Sequence, residues 1–250
     1  MNFKEFGKEN KKVLLLIHPS IVKWDYFEKV IPLLEKKYHL IIPVLPGYDF
    51  DNDSDFTSVE QIAGELNDWM KENGCNELYA VYGCSMGGSI ALMVTLGQKI
   101  PIQHCIMDGG ITPYQLPWGI TRFIAFKDYC MMMIGKLGGI RLLEKVFATD
   151  NYSKEDLQYV VDVLRHCSRK TIWRTFDSCN NYKVPKPIPK LKTKIHYWYT
   201  SGEEKERKKD INYMKKFFSE TRFEILPDLG HAGLVLLKPN DFEQMIDALE

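Results

Sequence analysis

Short apolar runs alternate with helical patterns over the first two-fifths of the chain, and this rhythm constrains the fold more than any other feature. The apolar runs are Val13–Ile17, Leu40–Val44, Leu78–Tyr82 and Ile102–Met107. Helical spacing of apolar residues lies between them, over Trp24–Tyr38, Val59–Met70 and Ser89–Leu96. Such alternation predicts parallel β-α-β units, whose strands are apolar throughout because helices cover both faces. We therefore expect an α/β fold with a mostly parallel central sheet flanked by helices.

The strand rhythm stops after residue 111 of the chain. The following segment shows helical patterns rich in methionine and aromatic residues, around Phe123–Phe147 and Lys154–Arg169. A proline-rich stretch, Val184–Pro189, then stiffens the chain as it leaves this segment. The pattern predicts a helical insertion without strands.

Strand patterns resume in the last quarter of the chain, at Ile195–Tyr199 and Arg222–Leu226. The resumed strands are expected to complete the sheet that the first part of the chain begins. The sequence therefore predicts an α/β core made of residues 1–111 and 190–250. Residues 112–189 are predicted to form the inserted helical unit.

A Gly-x-Ser-x-Gly motif lies where the third apolar run meets the next helical pattern. The segment reads Tyr82-Gly83-Cys84-Ser85-Met86-Gly87-Gly88. A sharp strand-to-helix turn needs glycine where side chains would clash, and it projects the central serine from the sheet edge, beside free N–H groups at the helix start. The position predicts Ser85 as a nucleophile, with an ordinary glycine-rich turn as the alternative. Cys84 occupies the wrong place in this turn to take that role.

A serine hydroxyl is a weak nucleophile and needs a neighbouring base. The chain has six histidines, at positions 18, 39, 104, 166, 196 and 231. His231 lies in a loop after the last predicted strand, at the carboxyl edge of the sheet, where catalytic groups of parallel sheets collect. This position favours His231 as the general base over a solvated loop histidine.

The sequence now resembles the α/β-hydrolase fold superfamily, specifically its capped serine esterases and lipase-like members. The resemblance extends over essentially the whole chain. It rests on His18-Pro19-Ser20 after the first apolar run, Leu45-Pro46-Gly47 after the second, the turn around Ser85, and His231. The resemblance implies a Ser–His–acid triad and a helical cap, inserted where the strand rhythm breaks.

The acid of the triad is the least distinct member. The resemblance implies an acid after the next-to-last strand, and Glu203 takes that place if Thr200 occupies the family's usual glycine position. Glu204 and Asp108, at the end of an earlier strand, are the alternatives. Glu203 also reads as a solvated charge at a helix start rich in Glu and Lys.

The resemblance also implies two backbone N–H groups that bind a developing oxyanion. One belongs to Met86, directly after the nucleophile, and the other to Ser20. Pro19 stands where the family usually has glycine, but proline removes only its own N–H group. Ser20 therefore retains the expected donor.

Charge and motif content argue against several other classes of function. Lys and Arg number 33, as do Asp and Glu, so the formal net charge is zero and the basic excess typical of nucleic-acid binding is missing. The run Lys205–Lys209 contains an acid and is predicted to be an exposed helix face. Neither a phosphate-binding loop nor a zinc motif occurs in the sequence, so we expect no cofactor and no metal.

The location is predicted from the N-terminal segment and the cysteines. No stretch reaches the ~18 apolar residues that a membrane-spanning helix needs, and the five-residue run at Val13–Ile17 is shorter than the core of a signal peptide. The six cysteines lack paired spacing and are predicted to be reduced thiols of a cytoplasmic protein.

The insertion offers a hint about the substrate. It contains Trp118, Phe123, Phe126, Tyr129 and Met131–Met133, which pack within the cap or line a pocket for a variable apolar group. We expect a serine hydrolase that cleaves a carboxylic ester of a small or medium apolar substrate through an acyl-enzyme. Amide, thioester or carbon–carbon bond hydrolysis on the same scaffold is an alternative, as is a non-catalytic ligand-binding protein.

Overall fold

Seven strands form one sheet in the computed structural model, which describes residues 1–113, 116–142 and 153–249. The strands are β1 Asn2–Phe6, β2 Val13–Ile17, β3 His39–Val44, β4 Leu78–Cys84, β5 Ile102–Asp108, β6 Lys194–Thr200 and β7 Arg222–Leu226. Their order across the sheet is β1-β3-β2-β4-β5-β6-β7. Every neighbouring pair is parallel except β1 with β3. The mostly parallel α/β sheet predicted from the sequence is confirmed.

Strand β1 is an edge strand that the sequence analysis missed. It runs antiparallel to β3, with Asn2 opposite Val44 and Phe6 opposite Leu40. Its residues are exposed or half-buried, and Phe3 stacks on Trp69 with ring centroids 3.8 Å apart. A short edge strand that mixes charged and aromatic residues has no apolar run, which explains why the pattern did not reveal it.

Nine helices are described. They are α1 Ile31–Leu34, α2 Val59–Glu72, α3 Met86–Leu96, α4 Trp118–Gly138, α5 Lys154–His166, α6 Arg169–Asn181, α7 Glu204–Phe217, α8 Gly233–Leu237 and α9 Pro239–Asp247. Short 3-10 turns also occur at Trp24–Phe27 and Ser201–Glu203.

The continuous helix predicted over Trp24–Tyr38 is wrong. The structure has the 3-10 turn at Trp24–Phe27 and the single turn α1 instead, which carries a proline at its start. Pro32 would clash with the carbonyl of Glu28 inside a longer helix and would leave that carbonyl without a donor. The apolar spacing was read correctly, but the proline divides the segment.

Helices α4, α5 and α6 follow β5 in the chain and precede β6, where a strand-free insertion was predicted. The end of one predicted helical pattern, at residues 143–147, lies outside the described residues. Helix α6 was not predicted, because two of its buried positions are the threonines Thr171 and Thr175. Their hydroxyls hydrogen-bond the loop after β3: Phe56 N donates to Thr171 Oγ1 at 3.1 Å, and Thr175 Oγ1 lies 2.8 Å from Tyr48 Oη.

The aromatic side chains of α4 differ from the packing predicted for them. Trp118, Phe123 and Phe126 are 72%, 68% and 55% exposed. Tyr129 is partly buried and lies edge-on to Trp173, with centroids 5.8 Å apart. Helix α4 therefore carries aromatic side chains on its exposed face as well as on the face that packs against the protein.

Apolar side chains are buried on both faces of the sheet. Leu15, Val81 and Met107 belong to a cluster on one face, while Leu14 and Ile106 belong to a cluster on the other. This double coverage explains the nearly uninterrupted apolar runs. Among the described residues, no helix combines the length and apolar character needed to cross a membrane.

Candidate active site

Ser85 lies in the strained turn that joins β4 to α3. Its backbone has φ +53° and ψ −114°, a conformation that non-glycine residues rarely adopt. A Cβ on Gly83 would lie 2.0 Å from the carbonyl oxygen of Gly87, and one on Gly87 would lie 2.2 Å from the carbonyl oxygen of Ile17. The two glycines of the motif are therefore required by close backbone contacts, as expected for a sharp strand-to-helix turn.

Ser85 and Cys84 are neighbours in this turn but differ in their exposure to solvent. Ser85 is the one partly exposed residue between positions 78 and 92, whereas Cys84 is fully buried. Burial raises the pKa of the Cys84 thiol, which keeps it protonated and unreactive. The backbone N–H of Ser85 donates to the carbonyl of Asp108 at 2.7 Å, which ties the turn to the end of β5. The hydroxyl of Ser85 is thus the accessible nucleophilic group of the motif.

Glu203 and His231 form a close pair. The distance from His231 Nδ1 to Glu203 Oε1 is 2.6 Å, across 28 residues of sequence. The side chain of Glu203 is 10% exposed and that of His231 is 41% exposed. One end of the pair is therefore buried while the imidazole reaches solvent. This arrangement suits a histidine that exchanges protons and a carboxylate that orients it.

A second set of contacts holds the carboxylate of Glu203. Its Oε2 accepts hydrogen bonds from Thr200 Oγ1 at 2.8 Å and Thr200 N at 3.4 Å, which close the turn after β6. Burial acts to raise the pKa of Glu203, but the hydrogen bond and charge of His231 and the charge of Arg207 outweigh it and lower the pKa to about 2. The interpretation of Glu203 as a solvated charge is wrong, since the folded chain buries it.

The two alternative acids have different surroundings. Glu204 is exposed at the first position of α7. Asp108 is buried, and its Oδ2 accepts a 2.6 Å hydrogen bond from Tyr82 Oη. Burial raises the pKa of Asp108 to about 6, although the hydrogen bond from Tyr82 and the charge of His231 act against this. Of the three candidates, Glu203 is the one hydrogen-bonded to His231.

The sheet topology explains why residues so far apart in sequence meet. Cys84 is opposite Asp108 across β4 and β5, and Thr200 is opposite Leu226 across β6 and β7. The carboxyl ends of these strands therefore lie side by side at one edge of the sheet. The turn around Ser85, the Glu203 carboxylate and the His231 loop all emerge there.

The imidazole of His231 packs against backbone that only glycine can provide. Gly109 has φ +59°, and a Cβ there would lie 3.0 Å from His231 Cε1. Tyr26 Oη donates to the carbonyl of Ala232, the residue after His231, at 2.9 Å. These contacts hold the loop that carries His231 beside the end of β5.

The two predicted oxyanion donors lie at neighbouring backbone segments. Met86 is the buried first residue of α3, and Ser20 is half-buried in the turn after β2. The close approach of Gly87 to the carbonyl oxygens of Ile17 and His18 holds the start of α3 against the end of β2. The role of the two N–H groups stays a prediction.

A model of the alpha/beta hydrolase family matches residues 14–245 of the sequence. The chain belongs to the alpha/beta hydrolase family. Solved structures resemble this hydrolase over nearly its whole length. MenH from S. aureus has a TM-score of 0.76 at 18% identity, with 98% of this chain and 95% of that chain covered.

Two further structures are similar to a comparable degree. A carboxylesterase of the thaumarchaeon Nitrososphaera gargenis has a TM-score of 0.77 at 17% identity, covering 98% of this chain and 92% of that chain. A bromoperoxidase from Bacillus anthracis has a TM-score of 0.76 at 14% identity, covering 97% and 91%. A search of curated proteins finds no match. At these identities the likeness concerns the fold, which hosts several chemistries.

The sequence did not predict one charged group of this candidate site. Arg207 was predicted to lie on an exposed helix face, but its side chain is 16% exposed and its Nε lies 3.5 Å from Glu203 Oε1. The spacing of four residues on a helix was the available signal for this pair. Among the described residues, no three His, Cys, Asp or Glu side chains are arranged to hold a metal ion.

Proposed function

We propose that this hydrolase is a serine esterase, with Ser85 as nucleophile, His231 as general base and Glu203 as the triad acid. The observation that carries the proposal is the 2.6 Å hydrogen bond between Glu203 and His231, at the sheet edge where the strained turn presents Ser85. A buried carboxylate on Nδ1 leaves Nε2 as the basic nitrogen of the imidazole. The partial exposure of His231 allows that nitrogen to meet substrate and water.

The proposed reaction has two halves. Ser85 Oγ attacks the ester carbonyl while His231 takes its proton, and the backbone N–H groups of Met86 and Ser20 bind the resulting oxyanion. The protonated His231 then gives the proton to the leaving alcohol, which leaves an acyl-enzyme on Ser85. Water attacks the acyl carbon, His231 accepts its proton and returns it to Ser85, and the carboxylic acid departs.

The choice of an ester rests on the insertion, since the three proposed side chains would serve several kinds of hydrolysis. We propose that residues 112–189 form a cap over a core of residues 1–111 and 190–250, as the sequence predicts. Methionine and aromatic residues in this cap favour a small or medium apolar group on the substrate. The carboxylesterase similarity agrees with this choice, while MenH and the bromoperoxidase share the same fold.

The alternative of a non-catalytic binding protein is less well supported. That alternative drew on the ambiguous acid, and a carboxylate now lies within hydrogen-bond distance of His231 Nδ1. Hydrolysis of an amide, thioester or carbon–carbon bond would use the same three side chains. These alternatives are therefore outcomes of the activity test.

Labelling by a fluorophosphonate probe, followed by an ester, thioester and amide panel, tests the proposal. Wild-type protein is expected to be labelled and to hydrolyse p-nitrophenyl butyrate, whereas Ser85→Ala should show neither labelling nor hydrolysis. The matched control is Cys84→Ala, which changes the adjacent buried side chain and should retain labelling. Labelling that persists in Ser85→Ala would overturn the nucleophile, and turnover of another substrate class alone would overturn the ester assignment.

A further inference from the structure

A buried cation lies between two carboxylates behind the Glu203–His231 pair. Arg207 is four residues after Glu203, and its side chain is 16% exposed. Its Nε is 3.5 Å from Glu203 Oε1, while its Nη1 donates to Asp210 Oδ2 at 3.4 Å. The Asp210 side chain is 3% exposed. Burying three charges is costly unless they are mutually compensated, so the placement of Arg207 between two anions needs explanation.

Asp210 connects this cation to the segment beneath the histidine. Its Oδ1 accepts hydrogen bonds from Thr112 N at 2.7 Å and from Thr112 Oγ1 at 2.8 Å. Thr112 follows Gly109 by three residues, and the imidazole of His231 packs on Gly109. The chain of contacts from Glu203 through Arg207 and Asp210 therefore returns to the segment that supports the histidine.

We propose that Arg207 is a positioning residue, which holds the Glu203 carboxylate in place relative to the segment after β5. Together with Asp210, it also sets the electrostatic potential at the imidazole of His231. Its positive charge opposes protonation of the imidazole, and the negative charge of Asp210 favours it. The consequence for catalysis rests on the proposed function, but the charge effect on His231 does not. The two charges should therefore act on His231 in opposite directions.

Other ionisable groups also face the pair. Asp108 and Tyr82 approach from β5 and β4, and Asp108 interacts electrostatically with both His231 and Glu203. Tyr197 approaches from β6 and donates to the carbonyl of Gly110 at 2.8 Å, and Glu206 on α7 interacts with Arg207. Arg207 is the cation that lies in contact with both Glu203 and Asp210. Its removal would leave the carboxylates of this cluster without that compensation.

The test is an NMR titration of the imidazole signals of ¹³C-labelled protein, with the His231 signal assigned by its loss in His231→Gln. Arg207→Gln should move the midpoint of the His231 titration upward by ~0.5–1 pH unit, since it removes a cation that contacts the carboxylate bound to the imidazole. Asp210→Asn should move it downward, while Asn still accepts the hydrogen bonds of Thr112. Lys208→Gln, the same charge change on the exposed face of α7, should leave the midpoint in place.

Opposite movements in the two variants would support the proposal, and no movement or movement in one direction would overturn it. Circular dichroism checks that each variant is folded. If Arg207→Gln does not fold, Arg207→Met, which removes the same charge and keeps the apolar stem, is titrated in its place. The titration needs no catalytic activity. A failure of the protein to react with the fluorophosphonate probe would therefore refute the esterase proposal but leave the proposal for Arg207 open to this test. In an active enzyme, the acid limb of the kcat/KM profile should follow the same two directions.

Discussion

The strongest test of the site is Glu203→Gln, because Gln is nearly the same size as Glu but cannot satisfy both of its partners. The carboxylate accepts from Thr200 N through Oε2 and from His231 Nδ1 through Oε1. The backbone N–H of Thr200 can only donate, so the amide oxygen of Gln should face it. The NH₂ group then faces His231 and forces the tautomer that carries its proton on Nε2. That tautomer cannot accept the proton of Ser85.

The magnitude follows from two contributions. The pKa of Glu203 is lowered from 4.5 to about 2 against the effect of its burial, so the carboxylate is ionised and faces His231 as an anion at neutral pH. Loss of that charge removes the electrostatic stabilisation of the imidazolium that forms when His231 takes the proton of Ser85. Misorientation of the imidazole should bring the total loss in kcat/KM to ~10³–10⁴.

The assay is kcat/KM on p-nitrophenyl butyrate for Glu203→Gln, Glu203→Ala and the matched control Glu204→Gln. We expect Glu203→Gln to be no better than Glu203→Ala, although Gln is the closer isostere. Glu204 is exposed beside Glu203, so its variant should stay within about twofold of wild type. A Glu203→Gln enzyme with more than a tenth of wild-type activity would refute the assignment of the acid.

Two further predictions concern stability. Burial lowers the pKa of His18 and of His196 to about 4, while the unfolded chain binds these protons near the ordinary 6.5. Each histidine should therefore lower the unfolding free energy by up to ~3 kcal/mol as the pH drops from 6.5 to 4, in urea titrations across this range. Asp108, whose pKa burial raises to about 6, acts in the opposite direction, so the contribution of His196 is read from the difference between wild type and its variant. His196→Gln should flatten that pH dependence, and an unchanged slope would contradict the reasoning. Gly87→Ala should destabilise the fold by more than ~2 kcal/mol, since its Cβ would meet the backbone of Ile17 at 2.2 Å. Gly64→Ala in α2 has open space around it and should not lower the melting temperature.

The main elements were predictable where a pattern is periodic and local. Parallel strands covered on both faces are apolar throughout, so β2 to β6 were found from apolar runs, and β7, a mostly exposed strand at the other edge, was found from a shorter strand pattern. The edge strand β1 and helix α6 were missed for the opposite reason. An edge strand needs few apolar residues, and α6 buries threonines that hydrogen-bond the loop after β3.

In the candidate site, too, the features that depend on local sequence were predictable and those that depend on distant neighbours were not. The strained turn around Ser85 was predictable because it requires glycines at fixed neighbouring positions, which leaves a motif in the sequence. Glu203 was favoured by its place in the chain but was hard to separate from the exposed acids beside it. The role of Arg207 was misread, because a charged run on a helix resembles an exposed face until the partner of each side chain is known.

The sequence by itself determined the order of six strands and of the main helices between them, the turn that carries Ser85 and the loop that carries His231, since each depends on residues close together in the chain. Tertiary structure alone decided which carboxylate meets the histidine. Glu203 is 28 residues from His231 in sequence, and only the adjacency of β6 and β7 brings their atoms to 2.6 Å. The burial of Glu203 and Arg207 is likewise a property of the packed sheet and helices. It depends on neighbours that the local sequence does not specify, and these neighbours decide how strongly the two charges interact.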